Sequence, residues 1–217
     1  GADSRMMRIG GNSYGFSIAD VESCTADQPG SWSAAVPPFR LNHPRWMQNA
    51  VILPNAQVFV FGGFQNGLNP GTPELRPELL TSTGWIVQPP QAGSRGYHAT
   101  AVLLPDGRVF CGGADTRSFD YQVYSPPYLT NGQARPKGIG CDIAPVVGGM
   151  RYRAEDPAAL YTLWWDENLP SGVTVTQAVL MRPGSVTHHS DMDMRYMRLP
   201  VEQPDDVSPR ERSLRFR

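Results

Sequence analysis

The stretch Gln57-Val-Phe-Val-Phe-Gly-Gly63 is a short apolar run that ends in two glycines, and it has two counterparts elsewhere in the chain. Arg5-Met-Met-Arg-Ile-Gly-Gly11 precedes it, and Arg108-Val-Phe-Cys-Gly-Gly113 follows it. The first glycines of the three pairs are 52 and 50 residues apart. Each run has the length and apolar content of a β-strand, so the sequence predicts a structure made of repeats of about 50 residues.

A second apolar strand precedes each of the last two runs. Asn49-Ala-Val-Ile-Leu53 is joined to the first of them by Pro54-Asn55-Ala56. Thr100-Ala-Val-Leu-Leu104 is joined to the second by Pro105-Asp106-Gly107. Asp-Gly between two apolar runs is a strong hairpin signal, so both pairs are predicted to be β-hairpins.

A tryptophan, a proline pair and an arginine also recur in one order. They are Trp32, Pro37-Pro38 and Arg45, and then Trp85, Pro89-Pro90 and Arg95. Repeats of this kind, with short strands and paired glycines, are typical of the kelch-type β-propeller. A β-sandwich with coincidental Gly-Gly pairs is the alternative, and the recurrence of three elements in the same order favours the propeller.

The repeats end near Leu129, and the turn-rich segment 130–136 follows as a linker. Residues 1–133 amount to about two and a half blades, whereas a closed propeller has about four to eight. We therefore expect a piece of a larger protein, with a second chain that supplies the missing blades as the alternative. Residues 134–217 predict an Ig-like (E-set) β-sandwich that is truncated, because such a domain needs about 100 residues.

The composition agrees with an all-β fold: a partial kelch-type β-propeller followed by an Ig-like β-sandwich. The 217 residues include 22 glycines and 21 prolines and 18% are charged, which excludes a helical bundle or a coiled coil. The net charge of −1 gives no electrostatic case for nucleic acid. No apolar run reaches membrane-spanning length, and no signal peptide is recognisable. Cys24, Cys111 and Cys141 form no zinc motif, and one disulfide or three thiols are equally open.

The histidines suggest a metal site. Tyr97 and His98 open the strand of the second hairpin, and His188 lies in a second His-containing segment. Neighbouring residues of a regular strand point to opposite faces, so Tyr97 and His98 could reach one ion only where the backbone is irregular, which Gly96 permits. Two imidazoles and a phenolate would suit Cu(II). The alternative is that Tyr97 hydrogen-bonds a neighbouring blade and His98 caps a turn. His43 is interpreted separately, as a surface or packing residue.

Two segments resemble a known family, the copper radical oxidases, which include galactose oxidase and glyoxal oxidase. Arg95-Gly-Tyr-His-Ala-Thr-Ala-Val-Leu-Leu-Pro-Asp-Gly-Arg-Val-Phe110 is similar to the family's copper-ligand blade. Val186-Thr-His-His-Ser-Asp-Met-Asp-Met-Arg-Tyr-Met-Arg-Leu-Pro200 is similar to its C-terminal ligand segment. There an Asp and an Arg follow the ligand histidine by five and seven residues, so Asp193 and Arg195 match His188 rather than His189.

The resemblance implies roles for these residues. His98 and His188 would be equatorial copper ligands, and Tyr97 would be the axial tyrosine and the general base. The implied reaction is the oxidation of a primary alcohol or an aldehyde by O2 with release of H2O2, in an extracellular or cell-surface protein. The family's Tyr–Cys radical cofactor lies upstream of the segments matched here, and none of the three cysteines has its context. We therefore expect this chain alone to be inactive.

The remaining candidates concern the substrate and the rival function. Tyr14 and Phe64 follow Gly-Gly pairs, where family members line the substrate pocket, and ordinary loop packing is the alternative. Asp191, Asp193 and Arg195 are interpreted as solvent-facing or ion-paired residues rather than as an acidic metal cluster. Expected partners are O2 and a small alcohol, aldehyde or carbohydrate. The rival hypothesis is a non-catalytic kelch propeller that binds carbohydrate or protein.

Overall fold

A computed structural model describes most of the chain. The described residues are 5–34, 40–114, 119–141, 145–146, 149–150, 161–165, 170, 175, 177–188, 190–191, 193–199, 201–202 and 213–216. The chain divides into two compact units. The first contains Gly1–Pro126 and Arg182–Arg195, and the second contains Pro127–Met181 and Tyr196–Arg217.

Nearly all of the regular secondary structure among the described residues is β-strand. The first ten strands are β1 (Arg5–Ser13), β2 (Phe16–Thr25), β3 (Ser33–Ala34), β4 (Trp46–Ile52), β5 (Val58–Phe64), β6 (Glu78–Thr81), β7 (Gly84–Val87), β8 (Thr100–Leu103), β9 (Val109–Gly112) and β10 (Tyr121–Tyr124). The helix α1 (Pro127–Thr130) follows, and then β11 (Gly140–Cys141), β12 (Pro145–Val146), β13 (Gly149–Met150), β14 (Tyr161–Trp164) and β15 (Ala178–Arg182). The last strands are β16 (Val186–Thr187), β17 (Ser190–Asp191), β18 (Arg195–Leu199), β19 (Val201–Glu202) and β20 (Ser213–Phe216).

The first unit contains three antiparallel sheets formed from consecutive strands. Their orders are β1-β2-β3, β4-β5-β6-β7 and β8-β9-β10. Strand β4 lies beside β1 and also beside β8, so the sheets follow one another in chain order. Sequential antiparallel sheets agree with the predicted all-β class. No closed ring of sheets is present among the described residues, and the kelch propeller stays a prediction.

The two hairpins predicted from the sequence are confirmed, and they have the same turn. The backbone N–H of Leu53 donates to the carbonyl of Gln57 at 2.8 Å, and that of Leu104 donates to the carbonyl of Arg108 at 2.8 Å. Ala56 in the first turn and Gly107 in the second both have positive φ, 66° and 87°. The shared geometry explains why apolar runs joined by different residues form equivalent hairpins.

The paired glycines are required where one sheet meets the next. The N–H of Gly11 donates to the carbonyl of Arg45 at 2.9 Å, and the N–H of Gly63 donates to that of Arg95 at 2.7 Å. A Cβ at Gly62 would lie 2.2 Å from the Arg95 carbonyl oxygen, far inside van der Waals contact. The recurring Gly-Gly and Arg signals are therefore the two sides of one repeated contact between sheets.

Each of these arginines also reaches an acid at the third strand of the sheet that follows it in the chain: Glu78 begins β6, and Asp120 immediately precedes β10. Arg45 Nη2 lies 2.6 Å from Glu78 Oε1, and both side chains have 0% exposure. Arg95 Nη1 lies 3.0 Å from Asp120 Oδ1, beside β10. A cluster of buried apolar residues in this unit contains Ala19, Val21, Leu41, Val58, Val60 and Trp85. Of the earlier repeat signals, Pro37 and Pro38 lie outside the described residues.

The second unit contains short strands. Its largest sheet has the order β11-β14-β20-β19, and β20 pairs antiparallel with both β14 and β19. β12 pairs with β13, and β15 with β18. The Ig-like sandwich and the division into residues 1–133 and 134–217 stay predictions. None of the helices in the described part of the chain has the length and apolar character needed to cross a membrane.

Candidate metal centre

Tyr97 and His98 lie in a turn before β8 rather than in the strand itself. The N–H of Ala99 donates to the carbonyl of Gly96 at 3.0 Å and closes this turn. The rings of Tyr97 and His98 consequently lie side by side, with centroids 4.2 Å apart. This is the irregular backbone that the sequence argument required if both side chains were to reach one ion.

The reason for a glycine at position 96 differs from the one expected. Gly96 is not among the residues with positive φ. A Cβ at this position would instead lie 2.3 Å from Cζ of Phe64, whose side chain is 4% exposed. Gly96 is therefore needed because the Phe64 ring fills the space above the turn, and Phe64 lies against the segment that contains Tyr97.

His188 lies at the tip of a hairpin. The register pairs Val186 with Asp191 and Thr187 with Ser190, which leaves a loop of two residues, 188 and 189. Two-residue hairpin loops need a positive φ at their first residue, a position that usually holds Gly, Asn or Asp. His188 has φ 52° and its side chain is exposed. A β-carbon in the left-handed region costs energy, so the position of His188 in this loop is a strained one.

The carboxylate of Asp191 organises this hairpin. Its Oδ1 accepts backbone N–H bonds from Ser185, Asp193 and Met194 at 3.3, 3.0 and 3.1 Å. Asp191 thus holds the loop together, a role that the sequence reading missed; its signal is an Asp three residues after the hairpin tip. Asp193 is ion-paired with Arg182 at 3.2 Å, in agreement with the interpretation of this residue as ion-paired.

A hydroxyl contacts the His188 ring. Thr187 Oγ1 and His188 Nδ1 are 2.7 Å apart, within hydrogen-bond distance. Because Nδ1 is engaged by the hydroxyl, Nε2 is the ring nitrogen that can take a metal.

The structure brings the three predicted ligands together within the first unit. The centroid of His188 lies 5.2 Å from that of Tyr97 and 5.4 Å from that of His98. The hairpin strand β16 lies beside β8, which explains how residues so distant in sequence converge. Tyr14 is not part of this group of three rings. It lies at the β1–β2 turn with φ 50° and is 100% exposed.

The donor set fits copper better than zinc. Two imidazoles and one phenol form a mixed nitrogen and oxygen set of the kind that Cu(II) accepts. Within the described ranges, no three His, Cys, Asp or Glu side chains converge as structural zinc sites require. Cys24 and Cys111 are free, buried thiols, and burial raises the pKa of Cys111 to about 12, so this thiol is unsuited to redox chemistry at neutral pH.

The chain is similar in sequence to two curated oxidases. The sequence matches none of the protein-family profiles. It is 30% identical to a galactose oxidase of Gibberella zeae over 171 residues, which cover 72% of this chain and 23% of that protein. It is 24% identical to an aldehyde oxidase of Arabidopsis thaliana over 182 residues, which cover 75% of this chain and 29% of that protein.

A solved structure extends the likeness to the fold. A fungal alcohol oxidase of the AA5 family, solved in complex with copper, superposes with a TM-score of 0.74 at 23% identity and covers 98% of this chain and 44% of its own. The likenesses in sequence support membership of the copper radical oxidase family. It spans about a quarter of the length of the curated relatives that it matches.

Proposed function

We propose that this chain forms part of a copper-dependent oxidase that converts a primary alcohol to an aldehyde, or an aldehyde to an acid, while O2 is reduced to H2O2. For an alcohol, RCH2OH + O2 gives RCHO + H2O2, so two electrons and two protons pass from the substrate to oxygen. The observation that supports the proposal best is the convergence of Tyr97, His98 and His188, with ring centroids 4.2 to 5.4 Å apart.

His98 and His188 would hold the copper through ring nitrogens, and Tyr97 through its phenolic oxygen. When bound, copper supplies a one-electron redox centre at this donor set. The turn at Gly96–Ala99 and the hairpin at residues 186–191 fix the two histidines, so the protein orders the donors before a metal arrives. Such preorganisation lowers the cost of binding.

Tyr97 has a second proposed role as a catalytic residue. Its phenolate oxygen would accept the hydroxyl proton of the bound alcohol and act as the general base. The Phe64 ring against Gly96 helps to fix the turn from which Tyr97 projects. Phe64 itself stays a candidate for substrate contact, as does the exposed Tyr14.

The other parts of such an enzyme lie outside the segments described above. We propose that a Tyr–Cys radical cofactor is supplied by residues other than these 217, because Cys111 is buried, with its pKa raised to about 12, and Cys24 is buried too. The remaining blades would belong to the same parent protein or to a partner chain. The chain by itself would then be inactive, and the parent would work at the cell surface or outside the cell.

Copper titration of the full-length protein tests the proposal. We expect one Cu(II) per molecule in the wild type and a large loss of affinity in His98→Ala and in His188→Ala. His43→Ala is the matched control, since His43 is remote in sequence from both ligand segments and should leave binding unchanged. Wild-type stoichiometry and affinity in both ligand variants would contradict the proposal.

A second measurement separates an oxidase from the rival binding module. H2O2 is measured with galactose, simple primary alcohols and small aldehydes as substrates after copper loading in air. The enzyme should form H2O2 with at least one of them, and it should lose two hydrogens in mass when the crosslink forms. Copper binding without either change would favour a non-catalytic propeller that keeps the ligand residues.

A further inference from the structure

The hydroxyl of Thr187 makes a short polar contact with the imidazole of His188. Thr187 Oγ1 lies 2.7 Å from His188 Nδ1, although the two residues are adjacent in the chain. The side chain of Thr187 is exposed, so the contact is not a by-product of core packing. Exposed hydrogen bonds of this kind add little to folding stability, because water can replace either partner.

We propose that Thr187 is the positioning residue for the copper-binding imidazole of His188. The inference rests on the proposed copper site. A histidine that binds metal through Nε2 must have its proton on Nδ1, and that N–H needs an acceptor. The hydroxyl oxygen of Thr187 is such an acceptor at hydrogen-bond distance. It fixes both the tautomer and the rotation of the ring, as partners of metal-binding histidines commonly do.

The backbone around this pair explains why the hydroxyl comes from the preceding residue. His188 is the first residue of a two-residue hairpin loop and has φ 52°. Its exposed ring lies edge-on to the rings of Tyr97 and His98, with centroids 5.2 and 5.4 Å away. The backbone of the hairpin is fixed by the Asp191 carboxylate, but Asp191 bonds to N–H groups and not to the ring. The contact with Thr187 is therefore a hydrogen bond to the imidazole itself, and it acts on Nδ1.

Threonine also suits this position for a separate reason. Thr187 ends β16 and pairs with Ser190, and a β-branched side chain is favourable in a strand. Valine has the same shape and the same strand preference but lacks the hydroxyl. Serine keeps the hydroxyl and lacks the methyl group. The two substitutions thus separate the hydrogen bond from the packing.

The test compares Thr187→Val and Thr187→Ser in the full-length protein by Cu(II) titration and by electron paramagnetic resonance of the Cu(II) form. We expect Thr187→Val to weaken Cu(II) binding about tenfold to a hundredfold and to change the nitrogen splitting of the spectrum. Thr187→Ser should retain wild-type affinity and spectrum. Thermal unfolding of the metal-free protein should be the same in all three, since the residue is exposed.

His188→Ala distinguishes failure of this inference from failure of the proposed function. If His188→Ala loses copper while Thr187→Val keeps wild-type affinity and spectrum, the positioning role is wrong and the copper site stands. Equal losses in Thr187→Val and Thr187→Ser would also overturn the role, because the serine hydroxyl should rescue it. If His188→Ala binds copper as the wild type does, the proposed copper site fails, and the role of Thr187 fails with it.

Discussion

The ring centroids of His98 and His188 lie 5.4 Å apart. Each residue lies in a segment whose backbone departs from regular strand geometry. His98 lies in a turn closed by the bond from Ala99 to Gly96. His188 lies at a hairpin tip with φ 52°. Regular strands would have directed neighbouring side chains to opposite faces, so the irregular segments are what allow the donors to meet.

The strained backbone of His188 predicts an unusual order of stabilities. Glycine tolerates the left-handed region, whereas alanine pays for its Cβ there by about 1 kcal/mol. His188→Gly should therefore unfold at a higher temperature than His188→Ala, although both lose the imidazole and its copper affinity. Thermal unfolding of the metal-free variants and Cu(II) titration measure the two effects. A His188→Ala protein as stable as His188→Gly would show that the position is not strained.

The contact between Phe64 and Gly96 predicts a specific overpacking defect. Gly96→Ala places a Cβ against the buried Phe64 ring and should cost about 1–3 kcal/mol in the free energy of unfolding, with a loss of copper affinity as the turn moves. Denaturant unfolding and Cu(II) titration measure both.

Phe64→Leu in the same protein should recover part of the loss, since a smaller side chain leaves room for the new methyl group. Gly93→Ala is the control from the same loop, where a Cβ would come no closer than 3.2 Å to Asp120 Oδ2. An equal effect of the two glycine substitutions would contradict the packing explanation.

Local signals predicted the two hairpins, because a strand period and a turn sequence act over a few residues; that Tyr97 and His98 share one ion stays a prediction. Contacts between residues that are distant in the chain produce no local sequence pattern of this kind. Arg45 and Arg95 recur at equal spacing, but their acidic partners lie 33 and 25 residues further on, since loops of different length intervene. The contact of Phe64 with Gly96 could not be predicted from the sequence either, because it too joins residues that are distant in the chain. Gly96 was expected to permit an irregular backbone through its conformational freedom. The backbone is irregular there, but the glycine is required because the Phe64 ring occupies the space of a Cβ.

The buried pair of Arg45 and Glu78 predicts a large loss of stability when one partner is removed, in contrast to an exposed pair. Burial lowers the pKa of Arg45, and the charge of Glu78 opposes this, so each charge depends on the other. Arg45→Ala would leave the Glu78 carboxylate buried without its counter-ion and should cost about 3–5 kcal/mol. Arg108→Ala is the control, because its ion pair with Asp106 is exposed and should leave the denaturant midpoint almost unchanged. Equal shifts in the two midpoints would contradict the assignment.

Cys111 and Tyr124 predict how stability falls in alkaline solution. Burial raises the pKa of Cys111 from 9.0 to about 12, and burial raises that of Tyr124 from 10.0 to about 12. The folded state keeps protons that the unfolded chain loses first, so each group leaves stability unchanged below its ordinary pKa. As the pH then rises towards 12, each group lowers the free energy of unfolding by up to about 1.4 kcal/mol per pH unit. In denaturant unfolding at several pH values, Cys111→Ala should flatten this decline from about pH 9 upwards. Tyr124→Phe should flatten it only above about pH 10, and an unaltered slope in both variants would show that neither proton is retained by burial.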